Sequence, residues 1–100
     1  MSGLNFLVTD SDPEVESYFA ENAADLSPKF LRGPLTEEIA VEVRDTDVLC
    51  VDITTTITAS LLHQLPKLKF ICTRSTGYDH IDVDEAERRG ITVSNVVGYG

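Results

Sequence analysis

Short apolar segments alternate along the chain with segments in which apolar residues recur at helical spacing. The apolar segments are nearly continuous, which is typical of strands that are covered on both faces of a sheet. They predict five strands, at residues 4–9, 29–32, 48–51, 70–73 and 91–93. The segments between them predict four helices, so strands and helices alternate from the first strand to the last.

Polar residues mark where these helices begin. Asp12, Thr58 and Asp82 stand where a side-chain oxygen can accept a hydrogen bond from the first helical turn, and the second helix starts at Thr36. The first helix is expected to run to about residue 24, and the third to end near residue 66. Gly90 follows two arginines and suits the position just past the end of the fourth helix.

This order of elements predicts the fold. Strands joined through helices imply a parallel sheet, and five of them in 100 residues indicate a flavodoxin-like doubly wound α/β domain. The expected strand order is 2-1-3-4-5, with helices on both faces of the sheet. One hundred residues support one domain.

The net charge of −9 argues against nucleic acid or an anionic membrane surface as a partner, because either polyanion would be repelled. The charge is unevenly distributed. Residues 1–50 carry eleven acidic and three basic side chains, whereas residues 51–100 carry six and five. An anionic ligand would therefore meet less repulsion at the second half of the chain.

Cellular context is indicated by three further features. Cys50 and Cys72 lie inside apolar segments, where a free cysteine commonly behaves as a small hydrophobic residue. The first residues do not have the pattern of a signal peptide, and no segment approaches the roughly 18 apolar residues that a membrane helix needs. We expect a soluble protein of the reducing cytoplasm.

The turn at residues 74–78, directly after the fourth strand, is the candidate binding site. In open α/β sheets ligands bind outside the carboxyl ends of the strands, and successive backbone N–H groups in a turn can hold an anion. Gly77 is the residue of this turn best able to take a positive φ. Arg74 could add a positive charge.

Three segments in this half of the chain resemble a known family. They are RSTGYDHID at residues 74–82, RGITV at residues 89–93 and NVVGY at residues 95–99. Together they closely resemble the amino-terminal part of D-isomer-specific 2-hydroxyacid dehydrogenases. The resemblance is specific over residues 65–100 and rests only on element order over residues 1–64. Val97 stands where the family usually has proline.

The resemblance implies how the substrate is held. In the family, backbone amides of the glycine turn hold the substrate carboxylate, and by position these are the amides of Thr76 and Gly77. Ser75 and Arg74 are neighbours expected to orient or steer the substrate. Tyr99 matches an aromatic residue that contacts substrate in some members, and packing at a hinge is the alternative role.

The catalytic groups are expected elsewhere in the protein. Histidine is a common general base near neutral pH, which makes His80 a candidate, but in the family the base is a histidine far downstream, assisted by a glutamate. The substrate-binding arginine also lies beyond position 100. We therefore interpret His80 as a residue that leads into the fourth helix, and expect no catalytic residue in this chain.

The resemblance also implies a longer protein. Residues 1–100 would be the N-terminal segment of the substrate-binding (catalytic) domain, ending near the hinge to a second domain. The GYG segment at residues 98–100 is not a dinucleotide fingerprint, so the site for NAD or NADP is expected in a nucleotide-binding domain outside this chain. The parent enzyme would act on a small 2-hydroxy or 2-keto acid as a homodimer, whereas this segment alone would be inactive.

A phosphorelay receiver domain is the alternative, because it shares the flavodoxin-like strand order. Asp10 and Asp12 follow the first strand and Asp52 follows the third, so the three carboxylates could form a Mg²⁺ site with a phospho-accepting aspartate. The chain has no lysine after the last strand to neutralise a phosphoryl group. An interaction domain without catalysis is the third possibility.

Overall fold

The computed structural model describes residues 4–95. Its centre is a parallel sheet with the strand order β2-β1-β3-β4-β5, which confirms the predicted order. The strands are β1 (Phe6–Val8), β2 (Lys29–Phe30), β3 (Val48–Val51), β4 (Phe70–Thr73) and β5 (Thr92–Asn95). The first two strands are shorter than the predicted ones, and β5 extends two residues further.

Four α-helices connect the strands. They are α1 (Pro13–Asn22), α2 (Glu37–Ala40), α3 (Ala59–His63) and α4 (Val83–Arg88). The predicted first helix is two residues too long, because the chain tightens into a 3₁₀ turn at Ala24–Leu26. A second 3₁₀ turn, Val41–Val43, continues α2 towards β3.

Each helix begins at an oxygen-bearing side chain that accepts a hydrogen bond from the first turn. Asp12 accepts from the Val15 amide at 2.8 Å and Asp82 from the Glu85 amide at 3.0 Å. The threonines at positions 36 and 58 cap α2 and α3 in the same way. These contacts satisfy N–H groups that have no partner within the helix, so the sequence signals for helix starts are confirmed.

The sheet is covered on both faces. Leu7 and Leu49 point to the larger cluster, which contains buried residues of α2, α3 and α4. Val8, the next residue along β1, points to the other face, where it packs with Val15 and Phe19 of α1. Because side chains alternate along a strand, one sheet supplies both cores, as the doubly wound prediction requires.

The two cysteines are register partners on β3 and β4, and both are free thiols. Cys50 is fully buried and Cys72 is half-buried. A hydrogen bond with the Cys72 thiol lowers the pKa of Cys50, and the same bond together with burial raises the pKa of Cys72. Within residues 4–95, no helix has the length and hydrophobicity needed to cross a bilayer.

Candidate functional site

The candidate site is the β4–α4 turn, residues 74–80, at the carboxyl edge of the sheet. Its first residue is fixed by the sheet, since the Arg74 N–H donates to the Val51 carbonyl at 2.8 Å. Its last residue is fixed from the other side, where the Ile57 N–H donates to the His80 carbonyl at 2.7 Å. The ends of the turn are therefore anchored, and its middle is exposed.

The turn has a continuous run of available backbone donors. Within residues 4–95, none of the N–H groups of residues 75–80 donates a hydrogen bond. Thr76 and Gly77, in the middle of this run, are both exposed. Backbone N–H groups without a protein partner are suited to an external acceptor, and several in succession suit an anion. The arrangement is compatible with the predicted role of the two amides, which stays a prediction.

Gly77 does not have the conformation that the sequence suggested. The glycines with positive φ in the described chain are Gly33 at 95° and Gly90 at 76°. Gly77 is outside that region, and a Cβ built on it would meet no atom within 4 Å. The expectation of positive φ is therefore wrong. Glycine leaves the space beside the turn empty, and a side chain here would enter that space without straining the backbone.

Arg74 lies in a different environment from the exposed middle of the turn. Its side chain is buried, and its guanidinium lies beneath the sheet edge. Nη2 donates to the Thr9 carbonyl at 2.7 Å and to the Asp10 carbonyl at 3.3 Å, and Nη1 lies 3.5 Å from Cys50 Sγ. The charge of Arg74 therefore lies between the end of β4 and the end of β1.

Asp10 organises the neighbouring part of this edge. Its carboxylate accepts hydrogen bonds from the Thr9 hydroxyl at 2.8 Å, the Thr55 hydroxyl at 2.8 Å and the Asp52 amide at 3.2 Å. The Thr54 hydroxyl also donates to it. We call these five residues the Asp10 cluster. Hydroxyls of the threonine loop after β3 are thus already bound to an internal anion.

The receiver alternative fails on this geometry. The Asp10 carboxylate is occupied by the donors of its cluster, while Asp12 caps α1 and Asp52 accepts a hydrogen bond from the Ile53 amide at 2.7 Å. No group of three or more histidine, cysteine or acidic side chains within residues 4–95 is arranged to hold a metal ion. The three aspartates therefore have separate structural roles, and the proposed Mg²⁺ site is not supported.

The remaining predicted residues divide into two groups. Ser75 lies in the turn, where its hydroxyl donates to the Gly77 carbonyl at 2.8 Å. Tyr99 lies outside the described residues.

Sequence reasoning missed Thr73 as a contributor to the candidate site. This buried hydroxyl ends β4 and lies 2.8 Å from His80 Nε2. A hydroxyl at the last position of an apolar strand was the available signal.

Two grooves in the part of the chain that the structure describes lie away from this turn. The larger one is at the amino-terminal edge of the sheet and is lined by Leu4, Phe6, Leu26 and Val48, among others. It is mostly apolar, and it contains none of the predicted site residues. The turn itself is an exposed ledge. We place the candidate site there because donor chemistry, rather than enclosure, decides where an anion binds.

Comparison with known proteins follows this geometry. The family model described as D-isomer specific 2-hydroxyacid dehydrogenase, catalytic domain, matches residues 6–100. A glyoxylate reductase from Thermofilum pendens is 43% identical over 65 residues, which are 65% of this chain and 19% of the relative. An erythronate-4-phosphate dehydrogenase from a Shewanella species is 41% identical over 86 residues, covering 78% of this chain and 22% of the relative.

Solved structures agree. A D-lactate dehydrogenase from Aquifex aeolicus, crystallised with NAD and lactic acid, superposes with a TM-score of 0.84 at 32% identity. The match covers 96% of this chain and 29% of that one. The chain therefore spans about a fifth of these curated relatives and less than a third of this solved one.

Proposed function

Because this chain belongs to the D-isomer-specific 2-hydroxyacid dehydrogenase family, we propose that its parent protein is an NAD- or NADP-dependent oxidoreductase of D-2-hydroxy acids. The reaction removes a hydride from C2 and a proton from the hydroxyl of the acid, or adds both to a 2-keto acid. Residues 1–100 are proposed to be the N-terminal segment of its substrate-binding domain, which forms one wall of the cleft.

In this proposal the β4–α4 turn binds the substrate carboxylate through the amides of Thr76 and Gly77. The supporting observation is that these exposed N–H groups have no acceptor within residues 4–95. A carboxylate that receives well-aimed N–H donors is held in one orientation, which presents C2 to the reacting groups. Ser75 shapes the turn from inside, and Arg74 contributes from beneath it rather than by direct contact.

The cofactor is proposed to bind outside this chain. No GxGxxG segment in the sequence leaves a strand and opens a helix, so the residues present do not fit a dinucleotide pyrophosphate. The nicotinamide would carry the hydride, and the base, its glutamate and the substrate-binding arginine would come from the rest of the parent. We expect a GxGxxG segment within about 60 residues of Gly100 in the coding sequence, in a βαβ context.

The expected cellular state follows from the same proposal. Two free thiols suit a reducing cytoplasm, and a homodimeric parent is inferred from the resemblance. Tyr99 is proposed to contact the substrate, with packing at the hinge as its other role.

The chain on its own should not bind NAD appreciably. Titration calorimetry with NAD tests this, and micromolar binding would contradict the placement of the cofactor site.

The carboxylate site is tested by replacing Gly77 with valine in the full-length parent protein and measuring reduction of glyoxylate, the substrate in the name of the Thermofilum pendens relative. The fold should persist, because this position lies outside the positive-φ region and faces open space. A branched side chain beside the donors should weaken carboxylate binding and lower kcat/KM roughly ten- to a hundredfold, equivalent to losing about one charge-assisted hydrogen bond.

The control is Tyr78→Phe, which keeps the ring and every backbone donor and should change kcat/KM little. Circular dichroism and the urea midpoint check that both variants fold. If Gly77→Val folds normally and keeps wild-type kinetics, the turn does not bind the substrate. The threonine loop after β3 is then a poor second choice, because Thr54 and Thr55 already donate to Asp10.

A further inference from the structure

Three side chains form a hydrogen-bonded line beneath the β4–α4 turn. His80 Nε2 lies 2.8 Å from Thr73 Oγ1, and Thr73 Oγ1 lies 2.7 Å from Ser75 Oγ. Ser75 Oγ in turn donates to the Gly77 carbonyl at 2.8 Å. The line therefore starts at a histidine that the proposed reaction does not use and ends on the backbone of the turn.

The direction of every bond in this line follows from its last member. A carbonyl oxygen can only accept, so the single hydroxyl proton of Ser75 is committed to Gly77. Ser75 must then accept from Thr73, whose own proton is used in that bond. Thr73 must accept from His80, and this requires a proton on Nε2.

The hydrogen bond from Ser75 to Gly77 restricts the backbone that carries the N–H donors of the turn. Ser75 Oγ and the Gly77 carbonyl close a ring around the peptide units that carry the Thr76 and Gly77 N–H groups. Gly77 is exposed and has open space beside it, so the side chains around it do not otherwise restrict this stretch. A closed ring leaves fewer backbone conformations to be lost when a ligand binds.

We propose that His80 is a positioning residue, which holds the two amides of the β4–α4 turn in place for an anion through Thr73 and Ser75. This inference rests on the proposed function, since it assumes that the turn binds the substrate carboxylate. His80 touches neither substrate nor cofactor in this role. Its imidazole donates the first proton of a line whose last bond sets the geometry of the turn.

The backbone around His80 is anchored independently of its side chain. The His80 carbonyl accepts from the Ile57 N–H at 2.7 Å, and the neighbouring Ile81 is buried. Thr73 lies within the β4 ladder and is fully buried. Removal of the imidazole should therefore leave the fold intact and alter only the turn, which makes a kinetic test meaningful.

The test uses the full-length enzyme with glyoxylate as the probe. His80→Phe keeps a ring of similar size but removes the donor, and should raise KM about tenfold with less than a twofold change in kcat. His80→Gln places an amide N–H at a similar reach and should restore most of the lost affinity. His63→Phe is the matched control, since His63 is an exposed histidine of α3, and should leave both constants unchanged.

A double-variant cycle separates the line of bonds from general loosening. Thr73→Val removes the middle hydroxyl and should raise KM as much as His80→Phe. Because both changes break the same line, the double variant should show no further increase. Additive effects, or an unchanged KM in a folded His80→Phe protein, would overturn the inference.

A spectroscopic readout is independent of activity. In a ¹⁵N-histidine-labelled sample, His80, identified by the signal lost in His80→Phe, should show a proton on Nε2. A neutral imidazole protonated only on Nδ1 would overturn the proposal.

The kinetic results also separate the carboxylate-site hypothesis from the positioning role of His80. If Gly77→Val raises KM and His80→Phe does not, only the positioning role is wrong, whereas no effect from either variant rejects the carboxylate site itself.

Discussion

Two neighbouring loops at the carboxyl edge of the sheet differ in whether their polar groups have hydrogen-bond partners within the described chain. In the Asp10 cluster, a carboxylate takes up the donors around it, including hydroxyls of the loop after β3. In the β4–α4 turn, the N–H groups of residues 75–80 donate to no acceptor within residues 4–95. One loop is internally satisfied, and the other has donors available for a ligand.

This difference is the physical basis on which an acidic chain would present the proposed anion site. The Asp10 carboxylate lies at the same edge as the turn, but it faces hydroxyl and amide donors of its own cluster. The guanidinium of Arg74 also lies close to this edge, on the carbonyls of Thr9 and Asp10. The net charge of a chain does not by itself decide where an anion binds, because the orientation of nearby hydrogen-bond donors matters more than the total charge.

The comparison is tested most strongly by Asp10→Ala. The change removes an acceptor shared by several donors and leaves the buried Thr55 hydroxyl without that partner. Unsatisfied buried donors and lost charge-assisted bonds predict a decrease of about 2–4 kcal/mol in the free energy of unfolding. Urea denaturation followed by circular dichroism measures it.

Two further variants test whether the loss of stability in Asp10→Ala comes from the hydrogen bonds of the carboxylate. Asp10→Asn keeps one oxygen and a residue type that tolerates the positive φ of 54° at this position, so its loss should be intermediate. Glu21→Ala removes an exposed carboxylate of α1 and should leave the midpoint unchanged. If Asp10→Ala is as stable as Glu21→Ala, the Asp10 cluster is not a structural unit and its carboxylate becomes available for another role.

Arg74→Met is expected to have the next largest effect. Methionine retains much of the apolar volume but loses the donors to the Thr9 and Asp10 carbonyls. Removing buried, charge-assisted hydrogen bonds should lower the free energy of unfolding by about 1.5–3 kcal/mol. Thermal and urea unfolding of the same chain provide the measurement.

Arg32→Met is the matched control, because the Arg32 side chain is 64% exposed and pairs with Glu16 at 2.9 Å on the surface. Because water screens exposed ion pairs, such pairs contribute little to stability, and the unfolding midpoint of Arg32→Met should barely change. The opposite pattern in the full-length parent protein, an unchanged midpoint with a raised KM for Arg74→Met, would indicate that Arg74 contacts the proposed substrate directly.

The fold was predictable because its signals are local. The alternation of apolar and amphipathic segments predicted the sheet order, and Asp12, Asp82 and Gly90 predicted helix ends from their immediate neighbours. The lengths of β1 and β2 were less predictable. Each strand ends where hydrogen-bonding partners end, and those partners belong to other parts of the chain.

The site was predictable only in position. The turn after β4 was identified from its place in the topology and from the family resemblance. The role of Asp10 depends on Thr55, 45 residues away, and that of Arg74 depends on Thr9, 65 residues away. Contacts at such separations follow from the packing of neighbouring loops, which has no local sequence signal. The conformation of Gly77 was missed because a glycine in a turn permits positive φ without requiring it.

The smallest predicted effect compares two glycines in the turns that precede and follow α4. Gly90, with φ at 76°, donates its N–H to the Glu87 carbonyl at 3.0 Å, and the next N–H, of Ile91, donates to the Ala86 carbonyl at 2.8 Å. This pair of bonds ends the helix and directs the chain into β5. Gly90→Ala should therefore cost about 1 kcal/mol, because a side chain disfavours positive φ.

Gly77→Ala should leave the unfolding free energy within measurement error, since its backbone is not left-handed and its Cβ would face open space. Urea titrations of both alanine variants, run beside the wild type, give the difference directly. Equal losses would mean that the turn needs glycine for its own conformation. A loss confined to Gly90→Ala would leave ligand access as the reason for glycine at position 77, so its effect should appear in KM and not in stability.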